Sequence, residues 1–471
     1  MSFLKKYSSI ILTFVSVVLY FLFAYTIERT EFNKLLFLWI SLFTCYFALL
    51  RDKELSFAYL TGIAVLFRFV FFFATPNLSQ DFYRFIWDGR MILEGLNPYL
   101  SLPQTFIEQN NYPVNQAKEL YEGMGTLNGS HYTNYPPVNQ LCFLIAALFA
   151  KNSIFGSVVV MRVLIILADI GILYFGKKLL ERLQLPVKNI FLYILNPFVI
   201  IELTGNLHFE PVMLFFLVWS IYTLHKQKWF LAAILLACSV SVKLIPLLFL
   251  PLFFQWFVKN DFSLLKGFKK LAFFYGTVVL TIILLFLPFY SPELISNYTN
   301  SVGLWFKNFE FNASFYYLAR EIGYLFRGYN EIAIIGKIIP ILTVCFLLIL
   351  TFFKKNKSTK QLTVSMLFAL SFYYFLTTTM HPWYIATLLI LSVFTQYRYA
   401  VLWSLVVILS YQAYANSPWK ENLWLITLEY IILYTYVIWE VCIKKKTHSK
   451  LSGKNCYEKE KESGFKTTVQ I

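Results

Sequence analysis

Charged residues are scarce in this sequence. Only 14% of its 471 residues are Asp, Glu, Lys or Arg, whereas soluble domains carry about 25%. Hydrophobic residues make up 58% and aromatic residues 20%, in apolar runs spread from end to end. One aqueous core of this length could not hide 50 Phe and 32 Tyr side chains. The composition excludes an ordinary soluble domain and predicts an all-α, polytopic membrane protein.

Cysteines are few and scattered. The six lie at positions 45, 142, 238, 345, 442 and 456, and no two have a spacing typical of metal ligands or a redox pair. The first five are interpreted as small buried hydrophobes, and Cys456 as a thiol in a polar tail. The pattern therefore predicts no metal site.

Internal repeats are also missing. Secondary transporters commonly show them, together with ionisable residues near the middle of the membrane. Only Arg68, Asp169 and Glu202 are candidates for such residues here. Arg162 and Asp169 are seven residues apart on one helix face, a spacing that would let them pair inside a bundle. A lipid or sugar transporter, such as a flippase, is therefore kept only as an alternative function.

The net charge of +16 does not indicate a nucleic-acid partner. The basic residues form short clusters between apolar runs, as cytoplasmic loops do under the positive-inside rule. The first run lacks a small-residue cleavage site and is predicted to be a span rather than a signal peptide. The predicted spans cover about 8–27, 34–50, 55–74, 154–177, 188–204, 211–225, 229–243, 244–258, 270–289, 331–353, 361–379, 382–396, 399–414 and 422–443.

This topology predicts one membrane domain over 1–443 with about 12–14 spans. The first extracytoplasmic loop is 76–136, the second is 290–330, and the polar tail 444–471 is predicted to be cytoplasmic and disordered. Segment 138–150 is too short to cross about 30 Å of hydrocarbon at 1.5 Å per residue. It is interpreted as a juxtamembrane or re-entrant helix.

Polar residues collect at the predicted outer face. The stretch "SQDFYRFIWDGRMILEGLNPY" (79–99) opens the first outer loop, which carries three basic and six acidic residues. Four more clusters are "HYTNYPPVNQ", "ELTGNLHFEP", "FKNFEFNASFYYLAR" and "TTTMHPWY", and Lys243 lies at another outer span end. Taken singly, each has a structural explanation, such as a helix cap at Asp81 or a snorkelling Lys243. Together they indicate a site at the membrane–water boundary.

The motifs "YRFIWDGR", "GLNPY", "YPPVNQL", "NPFVIIELTGNLHFEPVMLFF", "VKLIPLLFLP", "FNASFYYL" and "HPWY" follow in order over about 60–395. In this combination the chain resembles the multi-span GT-C glycosyltransferases, and most of all the bacterial polyprenyl-phosphate-mannose-dependent α-mannosyltransferases. The resemblance implies a GT-C-type bundle with juxtamembrane helices in the first outer loop. It also implies transfer of a hexose, with mannose the first choice, from a polyprenyl-phosphate donor to a hydroxyl of a lipid- or glycan-linked acceptor. No cofactor is implied, although a divalent metal stays open, and a polyprenyl-linked glycan ligase or polymerase is a second alternative.

The resemblance also assigns roles to residues. An acidic residue of the first outer loop acts as the base in such enzymes; it maps onto Asp81, with Asp88 ranked second. One carboxylate suffices for an inverting reaction, whereas a leaving phosphate needs nearby positive charge or hydrogen-bond donors. Lys243 and His381 are predicted to converge on that phosphate. The predicted substrate-binding residues are Arg84, Arg90, Asn97, His208, Glu210, Lys243, Asn312, His381 and Trp383.

The resemblance and the composition also predict partners and a location. The expected partners are the polyprenyl-phosphate sugar, a glycan or glycolipid acceptor and membrane lipids, with no nucleic acid. The abundance of Lys, Asn, Ile and Phe suggests a bacterium with an AT-rich genome. The expected location is therefore the bacterial plasma membrane, with the active site facing outside.

Overall fold

The computed structural model describes residues 2–261, 263–307, 309–416 and 419–444. Over these ranges the chain is predominantly helical and has no strand; one isolated bridge joins Phe311 and Thr379. The predicted all-α membrane bundle is confirmed. The predicted tail lies outside the described residues from position 445 onward.

The helices are numbered in chain order. They are α1 (Ser2–Thr26), α2 (Phe32–Arg51), α3 (Phe57–Val70), α4 (Asp81–Leu93), α5 (Pro103–Glu108), α6 (Ala117–Gly129), α7 (Pro137–Phe149), α8 (Ile154–Arg182), α9 (Phe191–Ile194), α10 (Glu210–His225), α11 (Trp229–Val240), α12 (Phe254–Val258), α13 (Leu264–Phe286), α14 (Leu294–Lys307), α15 (Phe315–Arg327), α16 (Ile332–Phe352), α17 (Thr359–Leu376), α18 (Ile385–Val393), α19 (Tyr399–Val406) and α20 (Leu423–Ile438). Short 3₁₀ segments cover Val187–Ile190, Ile245–Phe253, Leu287–Phe289, Pro382–Tyr384 and Val407–Ala415, and π segments cover Val199–Gly205 and Trp439–Lys444.

Six of these helical segments are long and apolar enough to cross a membrane within the described residues. They are Tyr7–Thr26, Phe32–Arg51, Ile154–Arg182, Leu264–Phe289, Ile332–Phe352 and Leu423–Ile443. A seventh candidate is the pair Val187–Ile194 and Val199–Gly205, bent by 59°. Seven further apolar segments have 10–17 residues, and a straight helix of that length falls short of about 30 Å. The predicted count of 12–14 crossings therefore stays a prediction.

Proline explains why several predicted spans are broken. The predicted span 188–204 breaks at Pro197, and the side chain of Asn196 there accepts a hydrogen bond from the Phe198 N–H at 3.0 Å. The predicted span 244–258 is mostly a 3₁₀ segment that contains Pro246 and Pro251. A proline lacks the N–H that an α-helix needs and clashes with the preceding turn. The apolar pattern located these segments but not their breaks.

The predicted Arg162–Asp169 pair is wrong. Asp169 instead pairs with Arg68, whose Nε lies 2.8 Å from Oδ2, and both side chains are buried. Arg162 donates to the carbonyl oxygens of Phe72 and Thr204 at 3.1 and 3.0 Å. Carbonyl groups at an irregular helix end need such donors when no water reaches them.

The predicted burial of the first five cysteines is also only partly correct. Cys45 and Cys142 are buried, and Cys238 is half-buried. Cys345 and Cys442 are exposed on two of the long apolar helical segments. An apolar side chain on such a surface can face lipid, so burial in the bundle is not required of it. Cys456 lies outside the described residues.

Segment 76–136, for which we keep the label first outer loop from the predicted topology, contains the helices α4, α5 and α6. Helix α4 packs against α7 through Phe85 and Phe143, whose rings stack with centroids 4.6 Å apart. Gly89 makes this approach possible, since a Cβ atom there would lie 2.2 Å from the Phe143 carbonyl oxygen. The close packing fixes the direction of α4 and therefore the position of its first residue.

Candidate active site

A cavity of about 900 Å³ lies where the first outer loop meets the ends of several apolar helices. Its wall contains five of the predicted site residues, which come from four separate motifs: Asp81, His208, Lys243, His381 and Trp383. Segments from the second outer loop and from the region before α20 complete the wall. The chain thus gathers residues as far apart in sequence as Asp81 and Trp383.

Asp81 is the first residue of α4 and is half-buried in the cavity wall. Its Oδ1 accepts a hydrogen bond from Asn128 at 3.3 Å. Burial raises the pKa of this carboxyl above its ordinary value, and the Lys243 charge, the Asn128 hydrogen bond and the Arg29 charge offset part of that rise. Asp81 is therefore a carboxylate with a basicity above that of an exposed aspartate.

The segment before Asp81 is held by the "GNLHFEP" motif. The side-chain oxygen of Asn206 accepts hydrogen bonds from the backbone N–H groups of Asn77 and Leu78, at 3.1 and 2.8 Å. Asn206 is fully buried, and the backbone of the next residue, Leu207, is left-handed with φ 60°. Two motifs that are far apart in sequence are therefore joined directly behind Asp81.

Lys243 follows α11 and reaches the cavity from the other side. Its ammonium group forms an ion pair with the buried Glu210, and its side chain keeps 21% of its surface exposed. The preceding loop is fixed because the Ser241 carbonyl accepts the backbone N–H of Val138 at 2.8 Å, at the first turn of α7. A cation is thus positioned in the cavity with one carboxylate partner.

Two histidines enclose the Trp383 indole. The ring of His208 stacks on it at a centroid distance of 3.9 Å, and the ring of His381 stacks at 4.5 Å. Burial and the charge of Lys243 lower the pKa of His381 to about 3. Burial, Lys243 and His381 lower the pKa of His208 well below its usual range. Both rings are neutral at pH 7, so they can offer hydrogen bonds but no charge.

The second outer loop is attached to the "HPWY" motif by its backbone. The Phe311 N–H donates to the Thr378 carbonyl at 3.1 Å, and the Met380 N–H donates to the Phe311 carbonyl at 2.8 Å. The Thr379 hydroxyl donates to the Phe309 carbonyl at 2.9 Å. These bonds hold Phe309 and Phe311 over the cavity beside His381.

Asp88 and Arg84 are not in the cavity wall. Asp88 is completely buried; its Oδ1 accepts from Arg84 Nε at 2.8 Å and its Oδ2 accepts from Gln140 at 3.0 Å. Arg84 also donates to the carbonyls of Asn128 and His131, at 2.6 and 2.9 Å. The pair therefore ties α4 to the end of α6, which carries Asn128, the partner of Asp81, and to His131 just after it.

Four other predicted residues also lie outside the wall. Arg90 donates to the Asn115 carbonyl at 2.6 Å, and Asn97 donates to the Phe289 carbonyl at 2.9 Å, at the end of the predicted span 270–289. Asn312 donates to Glu429 at 3.3 Å. Glu210 acts on the cavity through its ion pair with Lys243. The geometry gives these residues positioning contacts, and their predicted roles in substrate binding stay predictions.

Several wall residues were missed by the sequence reasoning. They are Arg29, Gln80, Glu310, Tyr414, Trp419 and Glu421. Arg29 is one charge among several in "IERTE", so nothing distinguished it. The polar break "NSPWKE" before the last apolar run was a usable signal, because the predicted topology places it on the same outer face as the other clusters.

Within the described residues, no group of three His, Cys, Asp or Glu side chains could hold a metal ion. That the reaction needs no cofactor stays a prediction, because a metal bound through substrate phosphate needs fewer protein ligands.

The fold and the cavity define a class: an integral membrane protein of bundled helices, with a cavity whose wall of apolar and aromatic side chains also holds a carboxylate and a cation. The model of the family "Alpha-(1->6)-mannopyranosyltransferase, N-terminal domain" matches residues 17–259, just over half of the chain. The chain belongs to this family, and the membership predicted from the motifs is confirmed. The match includes Asp81, His208 and Lys243, and ends before His381 and Trp383.

A curated relative agrees with the family. The chain is 25% identical over 203 residues to alpha-(1->6)-mannopyranosyltransferase A of Corynebacterium glutamicum. The aligned part is 42% of this chain and 38% of the relative. The chain therefore matches well under half the length of that protein.

Proposed function

We infer that this protein is an α-mannosyltransferase that moves mannose from a polyprenyl-phosphate carrier to a hydroxyl of a lipid- or glycan-linked acceptor. The observation that carries this proposal is the placement of Asp81 and Lys243 in one cavity wall of a chain from this family. The carboxylate and the cation act on each other electrostatically without forming a direct ion pair among the described contacts. The proposed sugar phosphate lies between them.

The proposed reaction is a single displacement at the anomeric carbon. The acceptor oxygen attacks that carbon as Asp81 takes the hydroxyl proton, and the bond between the carbon and the phosphate oxygen breaks. The polyprenyl phosphate leaves with the electron pair as a stable anion and needs no acid. One carboxylate is therefore enough, and the configuration at the anomeric carbon inverts.

Asp81 is the best base among the three carboxylates of the wall. Glu310 is paired with Arg320 at 2.7 Å and accepts the Tyr316 hydroxyl at 2.7 Å. Glu421 accepts from the Asn312 backbone N–H and from the Tyr317 hydroxyl. Among the described residues Asp81 accepts one long amide hydrogen bond, so its second oxygen is available to a substrate proton.

Lys243 and His381 are the proposed phosphate ligands. Lys243 supplies the charge, and neutral His381 supplies a hydrogen bond without adding a second buried cation. The apolar residues Leu244, Ile245 and Leu248 line the cavity next to Lys243. The hydrocarbon chain of the carrier can extend along them while its phosphate stays at Lys243.

The direct test is an assay with purified protein and a panel of polyprenyl-phosphate sugars. Release of free polyprenyl phosphate should be fastest with mannose and should depend on an added acceptor. Absence of release with every sugar of the panel would overturn the proposal. Release without covalent addition to any acceptor would instead indicate hydrolysis.

The outward-facing site in a bacterial plasma membrane needs its own test. Single cysteines at Thr105 and Ser296, both exposed, should react with an impermeant thiol reagent in intact cells of a cysteine-free variant. A cysteine at the exposed Lys357 should stay unlabelled until the cells are opened. The opposite pattern would reverse the orientation.

A further inference from the structure

One part of the cavity wall is built from segments that carry none of the recognised motifs. Arg29 lies in the turn between α1 and α2, Tyr414 lies in the 3₁₀ segment Val407–Ala415, and Trp419 lies just before α20. The guanidinium carbon of Arg29 is 5.1 Å from the centre of the Tyr414 ring and 4.6 Å from that of Trp419. We call these three residues the Arg29 cluster.

Trp419 has a backbone conformation that needs an explanation. Its φ is 65°, in the left-handed region, which a bulky residue rarely adopts. Its N–H donates to the Asn416 carbonyl at 2.8 Å, and its side chain is 51% exposed although it lines the cavity. Strained backbone of this kind concentrates at ligand sites, and here it presents an indole to the cavity.

The Arg29 cluster is connected to the proposed base. Arg29 Nη2 donates to the Gln80 side chain at 3.3 Å, and Gln80 directly precedes Asp81. Among the described residues this is the one hydrogen bond of the guanidinium, so its other N–H groups are available to a ligand. The charge of Arg29 also acts on Asp81. A molecule bound at the Arg29 cluster is therefore close to the reacting carboxylate.

The rings of the wall form a continuous line that separates two cationic ends. Neighbouring ring centroids are 3.9 to 6.0 Å apart. In order, the rings are His208, Trp383, His381, Phe311, Tyr414 and Trp419. The charge of Lys243 acts on the two histidines, whereas Arg29 lies against the last two rings. The proposed donor phosphate occupies the first end, which leaves the second end for another ligand.

We propose that the Arg29 cluster binds the acceptor as an uncharged hexose ring. The apolar face of the ring packs on Trp419, and the fork of Arg29 N–H groups binds adjacent hydroxyls, so that one acceptor hydroxyl lies at Asp81. Glu421 follows Trp419 by two residues, lines the same cavity and disfavours a negatively charged acceptor. This inference rests on the proposed function, because the two ligands must meet at Asp81.

The cavity has room for both ligands. Sites for single drug-sized molecules occupy about 300–1,000 Å³, and this cavity is near the upper limit at about 900 Å³. A mannosyl phosphate at Lys243 leaves space for a second ring at the Arg29 cluster.

The test uses the variants Trp419→Ala and Arg29→Gln with a mannobiose glycoside as acceptor. Each should raise the acceptor KM about tenfold, as expected for loss of an aromatic or cationic contact. The donor KM should not change in either variant. Trp419→Phe should recover part of the acceptor affinity. Matched controls are Trp424→Ala and Arg327→Gln, since both residues are exposed outside the cavity wall.

The outcomes separate this inference from the proposed function. If the wild type transfers mannose and both variants keep the acceptor KM, or raise the donor KM instead, the acceptor site is overturned and the function stands. Equilibrium binding of mannobiose in the absence of donor tests the acceptor site independently of transfer. If the wild type binds mannobiose, Trp419→Ala does not, and no donor is used, the site stands and the proposed function fails.

Discussion

Helix α4 carries the same chemical group twice, in opposite settings. Asp81 begins the helix, lines the cavity and accepts one hydrogen bond of 3.3 Å. Asp88 lies two turns later, is completely buried and is held by Arg84 and Gln140. A carboxylate whose oxygens are both engaged holds structure, whereas one with an open oxygen beside a cavity can take a proton.

The buried carboxylate, Asp88, also supports the open one, Asp81. Arg84 binds Asp88 and the carbonyl oxygen of Asn128, while the side chain of Asn128 binds Asp81. The ion pair therefore sets the position of the one amide that touches the base. Loss of either carboxylate should lower turnover, at Asp81 by removing the base and at Asp88 by destabilising its support.

The largest expected effect is that of Asp81→Asn. Removing the proposed base should lower turnover by about 10²- to 10⁴-fold while leaving thermal unfolding in detergent unchanged, because no buried ion pair is broken. Transfer rate and unfolding temperature measured on the same preparation check this. Near-normal turnover of the variant would remove Asp81 from the mechanism.

Asp88→Asn should lower stability more than turnover, the opposite of Asp81→Asn. It leaves the buried Arg84 guanidinium without its charge partner, which costs about 3–5 kcal/mol in comparable buried pairs. The unfolding temperature should fall clearly, and the remaining folded protein should turn over faster than Asp81→Asn. An unchanged unfolding temperature combined with a larger loss of turnover would exchange the two roles.

Lys243→Ala should act mainly on donor use. Loss of a charge-assisted contact to phosphate is worth about 1.5–3 kcal/mol, or about 10- to 150-fold in donor KM. Lys243→Arg should keep part of the activity, since it keeps the charge but not the shape. Lys151→Ala is the matched control, because Lys151 also pairs with a glutamate, Glu94 at 2.7 Å, but lies outside the cavity wall. Unchanged donor kinetics in Lys243→Ala would place the phosphate elsewhere.

The smallest expected effect is a shift in the pH profile. A general base works only when deprotonated, so activity falls as the pH drops through the pKa of Asp81. Burial raises that pKa, which puts the acid limb above the ordinary aspartate value of 3.8. Arg29→Gln removes a charge that lowers the pKa of Asp81 and should move the acid limb of kcat/KM to higher pH. Arg327→Gln should leave it in place, and an unmoved limb in both variants would show that Asp81 is not the group observed.

The motifs predicted the centre of the site better than its edges. Asp81, His208, Lys243, His381 and Trp383 come from four motifs and meet in one wall, as the one-sided polar pattern indicated. The Arg29 cluster was not predicted, because a single arginine in a charged turn belongs to no motif and to no periodic pattern. Its partners lie almost 400 positions away along the chain.

The sequence by itself determined the membrane class, the helical fold and the family. Each depends on properties that are local or averaged along the chain: hydropathy, charge clusters and short ordered motifs. The tertiary structure alone decided that Asp88 pairs with Arg84 inside the loop, that Asp169 pairs with Arg68 rather than Arg162, and where prolines break the spans. Those outcomes depend on which surfaces meet when the helices pack, since burial and partner distance decide whether a charge is enclosed or open to a cavity.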